Sequence, residues 1–73
     1  MFVIYSVPNC RNCAYAKVML EDFECEYEER HVALGERVRV CNSAGATKFP
    51  LIYHGETFIG GFNELGRFLE TQY

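Results

Sequence analysis

One change of hydrophobic period, at residues 8 and 9, decides most of what this chain can fold into. Phe2-Val3-Ile4-Tyr5-Ser6-Val7 is a short β-branched and aromatic run, the pattern of a strand buried on both faces. Pro8 and Asn9 end it. From Arg11 to about Phe23 the apolar residues Ala16, Met19, Leu20 and Phe23 recur at helical spacing with no glycine or proline among them, which predicts an amphipathic helix. Glu26 to Val32 then predicts a second strand, and a strand reached through one helix runs parallel to the first. Glu28, Glu29 and Arg30 are poor strand formers, so this second strand rests on Tyr27, Val32 and its place in the order.

In the second half, Leu34, Val38 and Cys41 share a helical face across residues 34–43, with Gly45 placed to stop that helix. Cys41 on this stripe, and Cys25, read as small core hydrophobes. Leu51-Ile52-Tyr53 and Thr57-Phe58-Ile59 flank a His54-Gly55 turn, which predicts a hairpin. After Gly60-Gly61, Phe62, Leu65, Phe68 and Leu69 mark a last amphipathic helix ending near Tyr73. The expected class is therefore α/β, in the order β-α-β-α-β-β-α, within one domain of residues 1–73.

At 73 residues the chain is near the size at which a hydrophobic core alone suffices, and a 49% hydrophobic content with six Phe and five Tyr can supply one. Four cysteines would also suit a secreted disulfide scaffold, but Met1 to Tyr5 carries no signal-like basic stretch, so the expectation is a cytoplasmic protein. No apolar run approaches the roughly 20 residues of a membrane span. The net charge of −3 argues against a nucleic-acid partner. Six of the ten acidic residues lie between Glu21 and Glu29, whereas Arg11, Arg37, Arg39 and Lys48 lie in segments that flank the cysteine pair or can fold back on it. A small anionic substrate would be drawn to that second group.

Cys10-Arg11-Asn12-Cys13 carries the chemistry. A thiol at a helix N-terminus sits beside unpaired backbone N–H groups and the positive end of the helix dipole, which favour the thiolate. Thiolate is the nucleophile of disulfide exchange, and an ordinary thiol of pKa about 8.5 is only roughly 3% ionised at pH 7. The spacing of Cys10, Cys13, Cys25 and Cys41 does not match a paired zinc site, and His31 and His54 have no ligand spacing, so no metal is expected.

With Cys-X-X-Cys after the first strand, Lys48-Phe49-Pro50-Leu51-Ile52 opening the third, and Phe58-Ile59-Gly60-Gly61-Phe62-Asn63-Glu64-Leu65 following the fourth, the chain resembles the glutaredoxin family of the thioredoxin fold. The likeness covers essentially the whole chain and is nearest to compact dithiol members from bacteriophages and bacteria, which for a phage protein makes the cytoplasm that of the host cell. It implies a four-stranded mixed sheet with helices on both faces and a glutathione-dependent thiol-disulfide oxidoreductase, in which Cys10 attacks and Cys13 resolves. It also implies a cis Pro50, with Phe49 offering its backbone N–H and C=O to the cysteine moiety of glutathione. Gly60, Gly61, Phe62, Asn63 and Glu64 would receive the γ-glutamyl end, whose carboxylate suits the N–H groups opening the last helix. The implied partners of this monomer are glutathione and disulfide-bearing proteins, ribonucleotide reductase among them.

The chain departs from the family pattern in several places: Val7 stands where a lysine is common, Arg11-Asn12 where Pro-Tyr is common, Lys48-Phe49-Pro50 where Thr-Val-Pro is common, and Asn63 where an aspartate is common. The expectation is that Arg11 or Lys48 supplies the positive charge that Val7 does not, and that Arg37 also belongs to the glutathione site. Two other roles fit the same residues: an electron donor to ribonucleotide reductase that is itself reduced by thioredoxin reductase, and a dimer holding an iron–sulfur cluster through Cys10 and two glutathiones. A non-catalytic interaction domain would instead show an unreactive Cys10.

Overall fold

The computed structural model describes residues 1–72. Strand β1 (Phe2–Ser6) leads into helix α1 (Arg11–Asp22) and strand β2 (Tyr27–His31); a 3-10 turn (Leu34–Glu36) precedes helix α2 (Arg37–Ala44), and β3 (Leu51–His54), β4 (Thr57–Gly60) and α3 (Phe62–Gln72) complete the chain. The expected end of the last helix near Tyr73 lies outside the described residues. The strands lie in the order β2-β1-β3-β4. β1 runs parallel to β2, placing Ile4 opposite Glu29, and antiparallel to β3, placing Ile4 opposite Ile52. The result is the expected four-stranded mixed sheet of the α/β thioredoxin-like fold, with helices on both faces.

One face of the sheet forms the main core. Phe2 and Ile4 of β1 and Ile52 of β3 meet Ala16 and Leu20 of α1 and Leu65 and Leu69 of α3, all fully buried. By the alternation of side chains along a strand, Leu51 belongs to the opposite face, where it is equally buried, and the rings of Tyr5 and Tyr53 meet there edge to face at 5.7 Å. β1 is therefore less uniformly buried than its apolar run predicts: Phe2, Ile4 and Ser6 are buried, Val3 and Tyr5 only half-buried, and Val7 lies past the strand end.

Ser6 explains how a polar residue ends a core strand. Its buried hydroxyl donates to Glu29 Oε2 at 2.8 Å, and Lys17 of α1 donates to the same oxygen at 2.9 Å. The Lys17 and Ser6 hydrogen bonds hold the Glu29 carboxyl below its ordinary range. This junction ties the end of β1 to the middle of α1 and to β2.

Two apolar stripes differ from expectation. Leu34 and Val38 are 78% and 73% exposed, and of the expected stripe only Cys41 is buried. The segment opens as a 3-10 turn, so only Val38 and Cys41 of the stripe lie in the helix that begins at Arg37, and of these only Cys41 is turned inward. Gly45 stops α2 in the left-handed conformation, as its position predicts. Phe23 is 43% exposed because it is the C-cap of α1, where the chain turns away through Glu24 at φ 56°. The inward stripe of α1 is instead Cys13, Ala16 and Leu20.

Candidate active site

The turn after β1 delivers the first thiol to the start of α1. Asn9 adopts φ 57°, a left-handed conformation that asparagine tolerates better than most residues. Cys10 then sits in extended backbone as the N-cap, and its Sγ accepts the Cys13 N–H at 3.2 Å. A sulfur thus takes the place usually filled by a serine or aspartate oxygen. Cys10 and Cys13 are joined as a disulfide with Cα atoms 5.2 Å apart. Cys13 is only 3% exposed, whereas Cys10 is half-buried, so a nucleophile or a substrate sulfur approaching from solvent meets Cys10 first. No acidic residue stands in the first turn of α1 to oppose a thiolate there.

Beside this cap lies a groove of about 450 Å³. It brings together Lys48, Phe49 and Pro50 from the loop before β3 with Gly60, Gly61, Phe62, Asn63 and Glu64 from the junction of β4 and α3. The Phe49–Pro50 peptide bond is cis. Cys10, Cys13, Arg11 and Arg37, also expected at the site, do not line this groove; the cysteine motif reaches it through Asn12. Asn12, Ala46, Thr47, Phe58 and Ile59 also line it and were not among the expected site residues, although the place of Asn12 between the two thiols is a usable signal.

A family model described as Glutaredoxin matches residues 2–59. The chain belongs to the glutaredoxin family. Glutaredoxin 1 from Francisella tularensis, solved in complex with cacodylate, superposes with a TM-score of 0.86 at 22% identity, over 96% of this chain and 92% of that one. The glutaredoxin of Brucella melitensis gives a TM-score of 0.81 at 27% identity, covering 97% and 79%. A buckwheat glutaredoxin–glutathione complex gives 0.84 at 17% identity, covering 96% and 68%. None of the curated protein sequences matches the chain significantly. Membership of this family, with its thiol pair at disulfide distance, makes the protein a thiol-disulfide oxidoreductase.

Charge in this glutaredoxin is distributed unevenly. Of the seven cations, four are paired: Lys17 with Glu29, Arg30 with Glu28, Arg39 with Glu36, and Arg67 with Glu64. Arg11, Arg37 and Lys48, the three expected at the site, have no ion pair among the described residues. Arg37 Nε is also buried without a hydrogen-bond partner among the described residues, an arrangement that is costly unless another group completes it. No helix of the described residues is long and apolar enough to cross a membrane, and no group of three or more potential metal ligands is gathered among them.

The N-terminus of α3 differs from its expected form. Glu64 Oε1 accepts the Gly61 N–H at 2.8 Å, so a carboxylate of the chain itself lies across the helix start. The Gly61 hydrogen bond, the backbone of Glu64 and the charge of Arg67 hold this carboxyl below its ordinary range. Gly60, at φ 134°, could not accept a side chain: a Cβ there would stand 2.6 Å from Glu64 Cβ.

Proposed function

We propose that the protein is a glutathione-dependent glutaredoxin that reduces protein disulfides and glutathione mixed disulfides through Cys10 and Cys13. The observation that carries this reading is the coincidence of the unpaired cations with the thiol end of the molecule: Lys48 lines the groove, and Arg11 lies inside the cysteine motif. Arg11 and Lys48 then supply attraction for the carboxylates of glutathione that Val7 does not.

Cys10 thiolate attacks the glutathione sulfur of a mixed disulfide, forming a Cys10–glutathione disulfide and releasing the substrate thiolate, which takes a proton from water. A second glutathione thiolate then attacks the bound glutathione sulfur, producing oxidised glutathione and restoring the Cys10 thiolate. With a protein disulfide, Cys13 instead loses its proton and attacks the Cys10 sulfur, expelling the second substrate thiolate and leaving the Cys10–Cys13 disulfide. Two glutathiones return that disulfide to the dithiol. Phe49, beside the cis Pro50, and the Gly60–Glu64 corner hold the glutathione moiety during these exchanges. A monomer in the cytoplasm acting on disulfide-bearing proteins, ribonucleotide reductase among them, completes the reading.

The test is to oxidise the protein and follow NADPH consumption with glutathione plus glutathione reductase, and separately with thioredoxin reductase. Reduction by the glutathione system is the expected result. Reduction by thioredoxin reductase alone would replace this reading with that of a thioredoxin-like electron donor.

A further inference from the structure

The outer face of α1 carries three large apolar side chains that the fold leaves uncovered: Tyr15, Val18 and Phe23 are 50%, 52% and 43% exposed. With Met19, Asp22 and Phe62 they surround a shallow hollow of about 480 Å³. Exposed apolar residues scattered singly are ordinary, but several gathered around one hollow mark an interaction surface. The hollow adjoins the reaction centre: Phe62 lines both it and the groove beside the thiol pair, and its ring meets that of Tyr15 at 5.8 Å. Cys10 caps α1, so at a rise of about 1.5 Å per residue Val18 and Phe23 lie roughly 12 and 20 Å along the helix from it. An extended chain advances about 3.4 Å per residue, so a polypeptide held by its cysteine at Cys10 reaches the hollow with a side chain about four to six positions away. Glutathione has a single residue on each side of its cysteine and is too short to do so.

Charge along the helix adds a direction. Arg11 opens α1 and Asp22 ends it, and neither has an ion pair among the described residues. Glu24 and Glu26, just past Asp22, are exposed as well. The face therefore runs from positive beside the thiols to negative at its far end, which suits a partner with a cation beyond its apolar side chain. We propose that this face docks the protein substrate itself: a polypeptide disulfide with an apolar side chain about four to six residues from the reactive cysteine and a basic residue beyond it. The proposal rests on reading protein disulfides as substrates of Cys10 and Cys13. Small disulfides reach Cys10 without touching the hollow, so this surface sorts protein substrates from one another and leaves the chemistry of the thiol pair unchanged.

The experiment measures kcat/KM, with glutathione and glutathione reductase regenerating the dithiol, for 2-hydroxyethyl disulfide and for three synthetic peptides built on a Cys-Gly-Gly-Cys disulfide ring with serine spacers on both sides. The first peptide carries a leucine about five positions from the nearer cysteine on each side and an arginine beyond it; the second has serine for leucine, the third glutamate for arginine. Wild type should reduce the first roughly tenfold better than the second, and about threefold better than the third. Val18→Ser should narrow the first gap about threefold and Asp22→Lys should reverse the second, while both variants turn over 2-hydroxyethyl disulfide as wild type does. Both positions are exposed, so neither change opens the core. Equal reduction of the first two peptides by wild type, or a preference that survives both substitutions, overturns the proposal. So does sedimentation that shows a dimer abolished by Val18→Ser without any peptide preference, which would assign the hollow to a second copy of the chain. Wild-type protein that reduces 2-hydroxyethyl disulfide but none of the peptides refutes the reading of protein disulfides as substrates, and this inference with it.

Discussion

Substitution can separate the two duties of the Cys10 sulfur. It is the more accessible member of the redox pair, and it is also the N-cap of α1, accepting the Cys13 N–H at 3.2 Å. Cys10→Ser removes the nucleophile but keeps an acceptor of a type well suited to a helix start; Cys10→Ala removes both. Loss of a cap costs about 1 kcal/mol. Unfolding entropy of about 2.1 cal/mol/K per residue gives roughly 0.15 kcal/mol/K for a chain of 73 residues, so that loss lowers Tm by about 6–7 °C. The proper reference is wild type in reductant, since neither variant can form the Cys10–Cys13 bridge. Circular-dichroism melts should place Cys10→Ser within about 2 °C of reduced wild type and Cys10→Ala about 6 °C below it, with neither variant turning over substrate. If the two variants melt together, the sulfur does not cap the helix. Turnover by Cys10→Ser would remove Cys10 as the attacking thiol.

Cys13→Ser should retain reduction of glutathione mixed disulfides and lose reduction of protein disulfides; equal loss of both in steady-state assays would contradict the division between attacking and resolving thiols. Lys48→Ala should raise KM for glutathione by about threefold to tenfold, an effect that shrinks with added salt because the side chain is exposed, and an unchanged KM would clear Lys48. The Glu29 carboxyl, held below its ordinary 4.5 by Lys17 and Ser6, contributes stability that is fully present above that value and is lost as pH falls through the lower folded-state one. Glu29→Gln should therefore flatten the decline in stability between about pH 5 and pH 3, measured by urea melts, and a decline as steep as wild type would refute the assignment.

Elements with a strong local pattern were legible in the sequence. The apolar run of β1, the stripe Ala16-Leu20 and the glycine turn of the hairpin each carry their own period, and each forms where that period predicts. The 34–43 stripe failed because its residues are divided between a 3-10 turn and a two-turn helix that buries only Cys41, and apolar spacing does not show which flank of so short a helix is covered. At the site, the Phe49-Pro50 and Gly60–Glu64 segments could be placed beside one another only through the family resemblance, and the part played by Asn12 depends on how they fold back on α1. The sequence shows seven cations, but which of them are neutralised depends on cross-strand and helix neighbours. Glu64 was the more readable case: an acid three positions after Gly61 has the spacing of a helix cap, and that local signal competes with any ligand role.

The order β2-β1-β3-β4 leaves the sheet with two outer edges of different character. Along β2, Glu28, Arg30 and His31 are exposed, so a foreign strand docking there would have to strip water from three titratable side chains on one short strand. The residues that make β2 hard to identify from sequence thereby protect the molecule against sheet extension and the aggregation it starts. β4, at the other edge, carries no charged side chain, and Phe58, Ile59 and Gly60 run directly into the groove. Sheet extension is thus opposed along β2, while the uncharged edge strand is the one that ends at the groove beside the thiol pair.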